Sequence, residues 1–137
     1  MLSSRLIQVT QMPIVSLDHI QLAMPHGREN EARAFYTGVL EIPEARKPPN
    51  LAKRGGCWFE RGSLKVHLGV EGEFRAAKKA HPAFIVEDLQ ALSERLSKAG
   101  FPVRSEEPLE GAALLLLPAG AVARRADGLV EQRARSR

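Results

Sequence analysis

Cysteine is almost absent from this chain of 137 residues, which contains Cys57 and no other. An internal disulfide is therefore impossible, and the class of small domains held together by disulfides is excluded. A single thiol is typical of a protein from a reducing compartment, so we expect the cytoplasm. Because Cys57 lies in the apolar run 56–59, we expect a buried and unreactive thiol rather than a nucleophile.

Long apolar runs are absent as well. A helix that crosses a membrane needs about 20 consecutive apolar residues, and no stretch of the sequence comes near that length. Residues 1–10 lack the apolar centre of a signal peptide. We therefore expect no membrane partner.

Aromatic residues make up only 5% of the chain, and its net charge of +4 is unevenly placed. Residues 112–137 contain five arginines against two carboxylates, a balance of +3, which leaves +1 for the remainder. Nucleic-acid-binding proteins present a basic stripe or patch on their folded body. The body of this chain has no such stripe interleaved with aromatic residues, so nucleic acid is not an expected partner.

The first half of the sequence has the hydrophobic pattern of a strand, a helix and two further strands. Residues 14–23 and 64–70 alternate apolar and polar side chains, which predicts strands. Apolar residues recur at helical spacing from 28 to 39, and the three prolines between 43 and 49 predict an extended loop. A short strand is predicted over residues 57–60.

The second half repeats part of this order. A strand is predicted over residues 81–86, followed by a helix with Asp88 as its N-cap and Gly100 as its stop, and then by a strand over residues 101–104. The chain is thus predicted to be a twofold repeat of one βαβββ unit whose second copy lacks recognisable last strands. The predicted segments are a lead-in (1–13), a first module (14–71), a second module (79–117) and an Ala/Arg-rich tail (118–137).

Three histidines, His19, His67 and His81, lie on predicted strands, each on the face opposite the best apolar row. Helices that cover one face of a sheet leave the other face free to line a cavity. Neutral imidazole nitrogen is a good ligand for Zn, Ni, Mn or Fe. The spacing is not a compact metal-binding signature, and a single histidine on a half-buried strand is more often a hydrogen-bonded surface or core residue than a metal ligand. The fourth, His26, is expected to be exposed in a turn.

Several segments between residues 14 and 111 together resemble the vicinal-oxygen-chelate superfamily, which includes glyoxalase I, bleomycin- and fosfomycin-resistance proteins and extradiol dioxygenases. The segments that carry the resemblance are Leu-Asp-His-Ile-Gln-Leu-Ala (17–23), Ala-Phe-Tyr (34–36), Arg-Gly-Gly-Cys-Trp-Phe (54–59), Val-His-Leu-Gly-Val-Glu (66–71) and Lys-Ala-His-Pro-Ala-Phe (79–84).

The resemblance implies a mixed α+β fold in which paired βαβββ modules form a cup-shaped mixed sheet, usually completed between two subunits. It implies that His19 is the first-strand metal ligand of module one, His67 its fourth-strand ligand, and His81 the first-strand ligand of module two. A divalent metal (Zn, Ni, Mn or Fe) is the implied cofactor, and a homodimer is the expected assembly.

The C-terminal segment departs from the family. The family has a glutamate ligand in the last strand, after an aromatic strand, whereas residues 112–137 contain no aromatic residue. Asp127 and Glu131 are the nearest acidic candidates for the missing ligand. Two explanations stay open: translation out of frame from about residue 112, or a divergent helix over residues 121–126.

Two functions follow from the resemblance, and a third possibility follows from the altered tail. The first is a divalent-metal-dependent enzyme of lyase, isomerase or dioxygenase type, acting on a small oxygen-bearing molecule that Gln21 and Lys65 could contact. The second is a metal-free binding or resistance protein that holds a small molecule in the cup. The third is a degenerate, inactive relative. Trp58 is expected in the core.

Overall fold

The computed structural model describes residues 11–101, 104–109, 112–116 and 122–125, and the side chains of residues 11–101. The strands in these residues are β1 (Ile20–Pro25), β2 (Glu44–Ala45), β3 (Cys57–Arg61), β4 (Leu64–Glu71), β5 (Ala83–Val86), β6 (Arg104–Leu109), β7 (Ala112–Leu116) and β8 (Val122–Arg125). The helices are α1 (Glu29–Arg33), which continues into π-helical turns (Ala34–Val39), α2 (Pro49–Ala52) and α3 (Leu89–Lys98). None of the described helices is long and apolar enough to cross a membrane.

The strands form two four-stranded sheets with the same internal order. The first sheet runs β1-β4-β3-β2 and the second runs β5-β8-β7-β6. In each sheet the first strand pairs in parallel with the last strand of its module, and the other described pairs are antiparallel. The predicted α+β architecture of two βαβββ modules is therefore confirmed, and the first strand of each module lies at an edge of its sheet.

The second sheet contains strands that the hydrophobic pattern did not reveal. β7 and β8 follow β6 where the sequence showed no recognisable last strands, and the helix considered for residues 121–126 is wrong because Val122–Arg125 is a strand paired with β5 and β7. Asp127 and Glu131 lie outside the described residues.

The first strand begins later than its sequence pattern indicated. We predicted a strand over residues 14–23, whereas β1 spans Ile20–Pro25. Ile20 pairs with Val66, and β4 begins only at Leu64, so residues before Asp18 have no partner on β4. The apolar side chains of Met12, Ile14, Val15 and Leu17 are accordingly exposed.

The first long helix combines two geometries. An α-helical turn over Glu29–Arg33 widens into π-helical turns over Ala34–Val39, where the amide of Leu40 donates to the carbonyl of Phe35 at 3.0 Å. This wider turn places Phe35, Tyr36 and Val39 together in the core. The helix predicted over residues 28–39 is therefore confirmed. The spacing of apolar residues did not reveal the π-helical turns, because spacing alone does not distinguish π from α turns. The predicted proline-rich loop contains β2 and α2.

The hydrophobic core lies between the first sheet and the helices of both modules. Phe59, Val66 and Leu96 are completely buried, and Leu96 comes from α3 of the second module. Asp88 caps α3 as predicted, accepting a hydrogen bond from the amide of Ala91 at 3.0 Å, and Gly100 ends it with φ of 82°. The two modules therefore share one core. The face of the first sheet that points away from the helices does not contribute to this core.

Candidate functional site

Two of the three candidate ligands, His19 and His67, meet on the face of the first sheet that lies away from the helices. His67 on β4 pairs in register with Gln21 on β1, and His19 directly precedes β1. The alternation of a strand puts His19 and Gln21 on the face opposite Ile20 and Leu22, which pack against the core. The two imidazole rings stack with centroids 4.3 Å apart and planes inclined by 22°.

His67 is enclosed on both sides. The indole of Trp58, its register partner on β3, stacks on the other face of the imidazole with centroids 3.9 Å apart and planes inclined by only 3°. Only 5% of His67 is exposed. Trp58 itself is half-buried. The prediction that it lies in the core is therefore wrong, and its indole instead stacks on His67. We call His19, His67, Trp58 and the carboxylates of Asp18 and Glu60 the histidine cluster.

Each histidine of the cluster has one ring nitrogen held by a carboxylate. Nε2 of His67 lies 2.8 Å from Oε1 of Glu60, and Nδ1 of His19 lies 2.7 Å from Oδ2 of Asp18. An ionised carboxylate only accepts hydrogen bonds, so the nitrogen facing it carries the proton. Nδ1 of His67 and Nε2 of His19 are then the nitrogens with a lone pair. A carboxylate behind an imidazole is the common arrangement around metal-binding histidines.

Lys65 adds a positive charge at the edge of the cluster. Its Nζ lies 3.7 Å from Oδ1 of Asp18. The hydrogen bond from His19, followed by the charge of Lys65, lowers the pKa of the Asp18 carboxyl. Asp18 therefore stays ionised over a wider pH range, and it keeps the proton of His19 on Nδ1.

The side chain of Gln21 extends from β1 over Gly69 of the neighbouring strand β4, beside the histidine cluster. A Cβ at Gly69 would lie 2.3 Å from Nε2 of Gln21, so the absence of a side chain at Gly69 makes room for this amide. Gln21 and Lys65, named from the sequence as possible substrate contacts, thus both lie on the face that carries the histidines. The substrate role itself stays a prediction.

His81 lies apart from the cluster, two residues before β5. It is exposed, and its Nδ1 lies 2.8 Å from the carbonyl oxygen of Lys79. Since a carbonyl accepts, Nδ1 carries the proton and Nε2 has the lone pair. The strand predicted over residues 81–86 starts only at Ala83, because Pro82 has no amide hydrogen to donate to a sheet. Among the described residues, no group of three or more potential ligands is arranged to hold a metal ion.

The open face of the second module resembles that of the first in position. β5 has the same place in its sheet as β1, and its residues Ala83 and Ile85 are exposed while Phe84 and Val86 pack against the core. His81 has the parity of Ala83 and Ile85 along the chain. His19 and His81 therefore precede topologically equivalent edge strands. Of the three metal ligands expected from the sequence, His19 and His67 are in contact with each other, and His81 is separate from both.

Sequence reasoning missed the two carboxylates and the role of the indole. Trp58 and Glu60 alternate with the buried Cys57 and Phe59 on β3, so strand parity could have placed both on the face of His67. Asp18 directly precedes His19, and no sequence pattern indicated that its carboxylate would contact that histidine. Two other expectations are confirmed: Cys57 is buried, and burial raises the pKa of its thiol, while His26 is exposed in a turn.

Comparison with known proteins identifies this fold. No family model matches the sequence, and no curated protein matches it. Among solved structures, a Bacillus anthracis protein described as a glyoxalase family member is 38% identical, has a TM-score of 0.75, and is matched over 84% of this chain and 96% of its own. A fosfomycin resistance protein FosX variant from Listeria monocytogenes, complexed with Mn(II) and 1S,2S-dihydroxypropylphosphonic acid, is 17% identical with a TM-score of 0.63, covering 88% of this chain and 95% of its own.

A third similar structure is a lactoylglutathione lyase from Agrobacterium tumefaciens, with 17% identity, a TM-score of 0.58, and coverage of 84% of this chain and 96% of that one. The two more distant structures share the fold. The similarity to the Bacillus anthracis protein covers nearly all of that chain at 38% identity, so this chain belongs to the glyoxalase family of the vicinal-oxygen-chelate superfamily. The predicted family is confirmed.

Proposed function

We propose that this protein is a divalent-metal-dependent enzyme that acts on a small oxygen-bearing molecule at the face carrying the histidine cluster. The observation that supports this most directly is the pair of contacting imidazoles, His19 and His67, each with a carboxylate on one nitrogen. The lyase, isomerase and dioxygenase reactions of the superfamily all remain candidates. The FosX structure with Mn(II) supports metal use by a protein of the same fold.

The donor set fits a divalent ion in its chemistry. Neutral imidazole nitrogens suit Zn, Ni, Mn and Fe, and the carboxylates of Asp18 and Glu60 fix which nitrogen of each ring is available. His19 and His67 would hold the ion together with His81. Such an ion supplies a Lewis acid that polarises substrate oxygens.

The residues of the chain have separate tasks in this proposal. Asp18 and Glu60 hold protons on the outer nitrogens of His19 and His67. Lys65 presents a cation, and Gln21 presents an amide, to oxygen atoms of a substrate on the same face. Trp58 fixes the plane of His67 by stacking and excludes water from one side of the ring.

We propose that a second copy of the chain completes the cup. His81 is not in the histidine cluster, and the strand that follows it, β5, leaves Ile85 59% exposed on the open face. An exposed large aliphatic side chain next to a candidate ligand is suited to burial against another sheet. In a homodimer, the open face of β5 from one copy would cover the histidine cluster of the other.

The single cysteine, buried and unpaired, supports the cytoplasm as the compartment.

The test is a calorimetric titration of chelator-treated protein with Zn, Ni, Mn and, without oxygen, Fe(II). We expect about one ion per chain with micromolar or tighter affinity for at least one metal. His19→Ala and His81→Ala should each weaken binding at least tenfold, whereas His26→Ala, in its exposed turn, should leave it unchanged. The emission of Trp58, the only tryptophan, provides a second signal because its ring stacks on His67. Absence of binding by all four ions contradicts the proposal.

A mixing experiment tests whether the cup forms between copies. His19→Ala and His81→Ala chains are unfolded together and refolded. If the ligands come from different copies, each mixed dimer has one cup in which both residues are intact, and tight metal binding returns at one site per mixed dimer. A site built within one chain would regain nothing on mixing.

A metal-free binding protein is the second candidate, and the enclosure of His67 favours it. Stacked between Trp58 and His19 with Nε2 on Glu60, this imidazole is stabilised without any ion. In that case the cluster is a hydrogen-bonding floor for a small molecule. Ligand affinity that is the same before and after chelator treatment, together with no metal uptake, identifies this function.

A further inference from the structure

A second candidate site lies on the other side of the first sheet, away from the histidine cluster. A cavity of about 700 Å³, partly open to solvent, is lined by residues of β1 and β4, the first helix, and the connector between the modules (residues 72–82). None of the residues of the histidine cluster lines it. Cavities that bind small molecules are typically about 300–1,000 Å³.

Much of the cavity wall is apolar, and part of it is held by contacts between aromatic rings. The apolar wall includes Met24, Phe35, Tyr36, Leu68, Phe74 and Phe101. Phe35 makes edge contacts with Tyr36 and Phe101, with ring centroids 5.0 Å and 5.3 Å apart, and Tyr36 stacks on Phe59 at 5.1 Å. Side chains held on several sides by other rings do not have to reorganise on binding, which reduces the entropic cost.

Four charged side chains line the cavity, and the connector contributes one of them, Arg75. Arg28 and Arg75 line it together with Glu31 and Glu71. Arg28 and Glu31 form an ion pair with each other. Within residues 11–101, no ion pair includes Arg75. Lys78 and Lys79 follow Arg75 in the same connector, against the single carboxylate Glu73.

Tyr36 adds no negative charge to the cavity. Burial raises the pKa of its hydroxyl to about 12, so the group stays neutral at physiological pH. The cavity therefore combines an aromatic and aliphatic interior with two charged groups, Arg75 and Glu71, that have no ion-pair partner among the described side chains.

We propose that this cavity binds a small molecule with an apolar body and one carboxylate, which Arg75 holds. This site is separate from the histidine cluster, so the proposal does not depend on metal binding or on the reaction. The apolar body is buried against Phe35, Met24 and Leu68, and the carboxylate lies under the connector.

The probes are octanoate, octanol and octylammonium, which share an alkyl chain and differ in the charge of the head group. Each is used to displace the fluorescent anion 1-anilinonaphthalene-8-sulfonate from the full-length protein. We expect octanoate to displace the dye best, octanol less well and octylammonium least. Octylammonium as the best competitor would assign the polar end to Glu71 and overturn the proposal, as would equal competition by all three.

Two pairs of variants localise the binding. Arg75→Gln should weaken octanoate about tenfold, since a charged hydrogen bond is lost, and should leave octanol unchanged, with Arg54→Gln, outside the cavity, as the control. Ala32→Phe fills the cavity and should abolish displacement, whereas Ala34→Phe on the exposed side of the same helix should not. Circular dichroism and thermal melting confirm that all four variants fold. Binding that survives in folded Ala32→Phe protein overturns the assignment of the site.

Discussion

The two modules have the same strand order and different surface chemistry on their open faces. In the first module that face carries Gln21, Lys65 and the histidine cluster, in which stacking joins the rings and hydrogen bonds join the histidines to Asp18 and Glu60. On β5 of the second module the described open face carries Ala83 and the exposed Ile85, with His81 just before the strand. The backbone pairing of the first strand is therefore the same in both modules, although the open faces of β1 and β5 carry different side chains.

The largest contrast is expected between the core of the first module and the open face of the second. Phe59 is completely buried, whereas Ile85 is 59% exposed. Phe59→Ala should lower the free energy of unfolding by about 3–5 kcal/mol, and Ile85→Ala in dilute protein by less than about 0.5 kcal/mol. Urea unfolding measures both.

The same pair of variants tests the proposed dimer. If a second copy covers β5, the effect of Ile85→Ala should grow as the protein concentration is raised through the dimer range, while that of Phe59→Ala should stay constant. A large effect of Ile85→Ala in monomeric protein would mean that the open face of the second module is buried within the chain.

Alanine substitutions at two glycines of the first module distinguish the cost of a steric clash from the cost of backbone strain. Both Gly56 and Gly62 have positive φ, but a Cβ at Gly56 would lie 2.1 Å from the carbonyl oxygen of Leu68, and nothing lies within 4 Å at Gly62. Gly62→Ala should cost about 1 kcal/mol from strain alone. Gly56→Ala should cost at least about 2 kcal/mol more, because β4 must move away. Equal melting temperatures for the two variants would contradict this packing.

The helix of the second module supplies a smaller effect. Asp88 accepts a hydrogen bond from the amide of Ala91 and caps α3. Asp88→Ala should reduce the free energy of unfolding by about 1 kcal/mol. Asp88→Asn should restore most of it, since the amide oxygen can accept the same bond. If the asparagine and alanine variants have the same melting temperature, loss of the helix cap is not the cause of the destabilisation.

The smallest effect concerns pH and belongs to the histidine cluster. Because its pKa is lowered in the folded protein, ionised Asp18 stabilises the fold at pH values above its ordinary pKa of 3.8. That contribution is lost as the pH falls below 3.8 through the lowered value. A carboxyl NMR titration should place Asp18 below 3.8 in the folded protein.

Variants of the two partners rank the causes of this shift. His19→Ala should raise the pKa of Asp18 more than Lys65→Ala does, because the hydrogen bond from His19 is the larger cause. The reverse order would show that Asp18 responds mainly to the nearby charge and that the Asp18–His19 contact is weak in solution.

The sequence was sufficient to predict the architecture where periodicity and backbone chemistry act together. The alternation of residues 64–70 predicted β4, and Asp88 and Gly100 marked the limits of α3. The pairing of His19 with His67 follows from strand parity together with the family resemblance. The beginning of β1 was predicted too early because alternation continues through residues that have no partner strand.

Other features depend on tertiary contacts that no local pattern records. β7 and β8 are short strands without alternation, and their hydrogen-bonding partners are fixed only when the sheet assembles. Glu60 and Trp58 contact His67 because β3 and β4 pair in one register, which the sequence does not state. The cavity under the connector arises from the approach of α1, Phe101 and residues 72–82, which are distant in the chain.

The parallel pairing of the first and last strand in each module has a consequence for synthesis on the ribosome. β1 emerges first but waits for β4, and β5 emerges long before its partner β8 at Val122–Arg125. The first sheet can close once β4 has been made, whereas the second cannot close until β6, β7 and β8 have all followed β5. Since β8 lies between β5 and β7 rather than at an edge, any altered reading of the codons for residues 122–125 changes the middle of that sheet after β5, β6 and β7 have been produced.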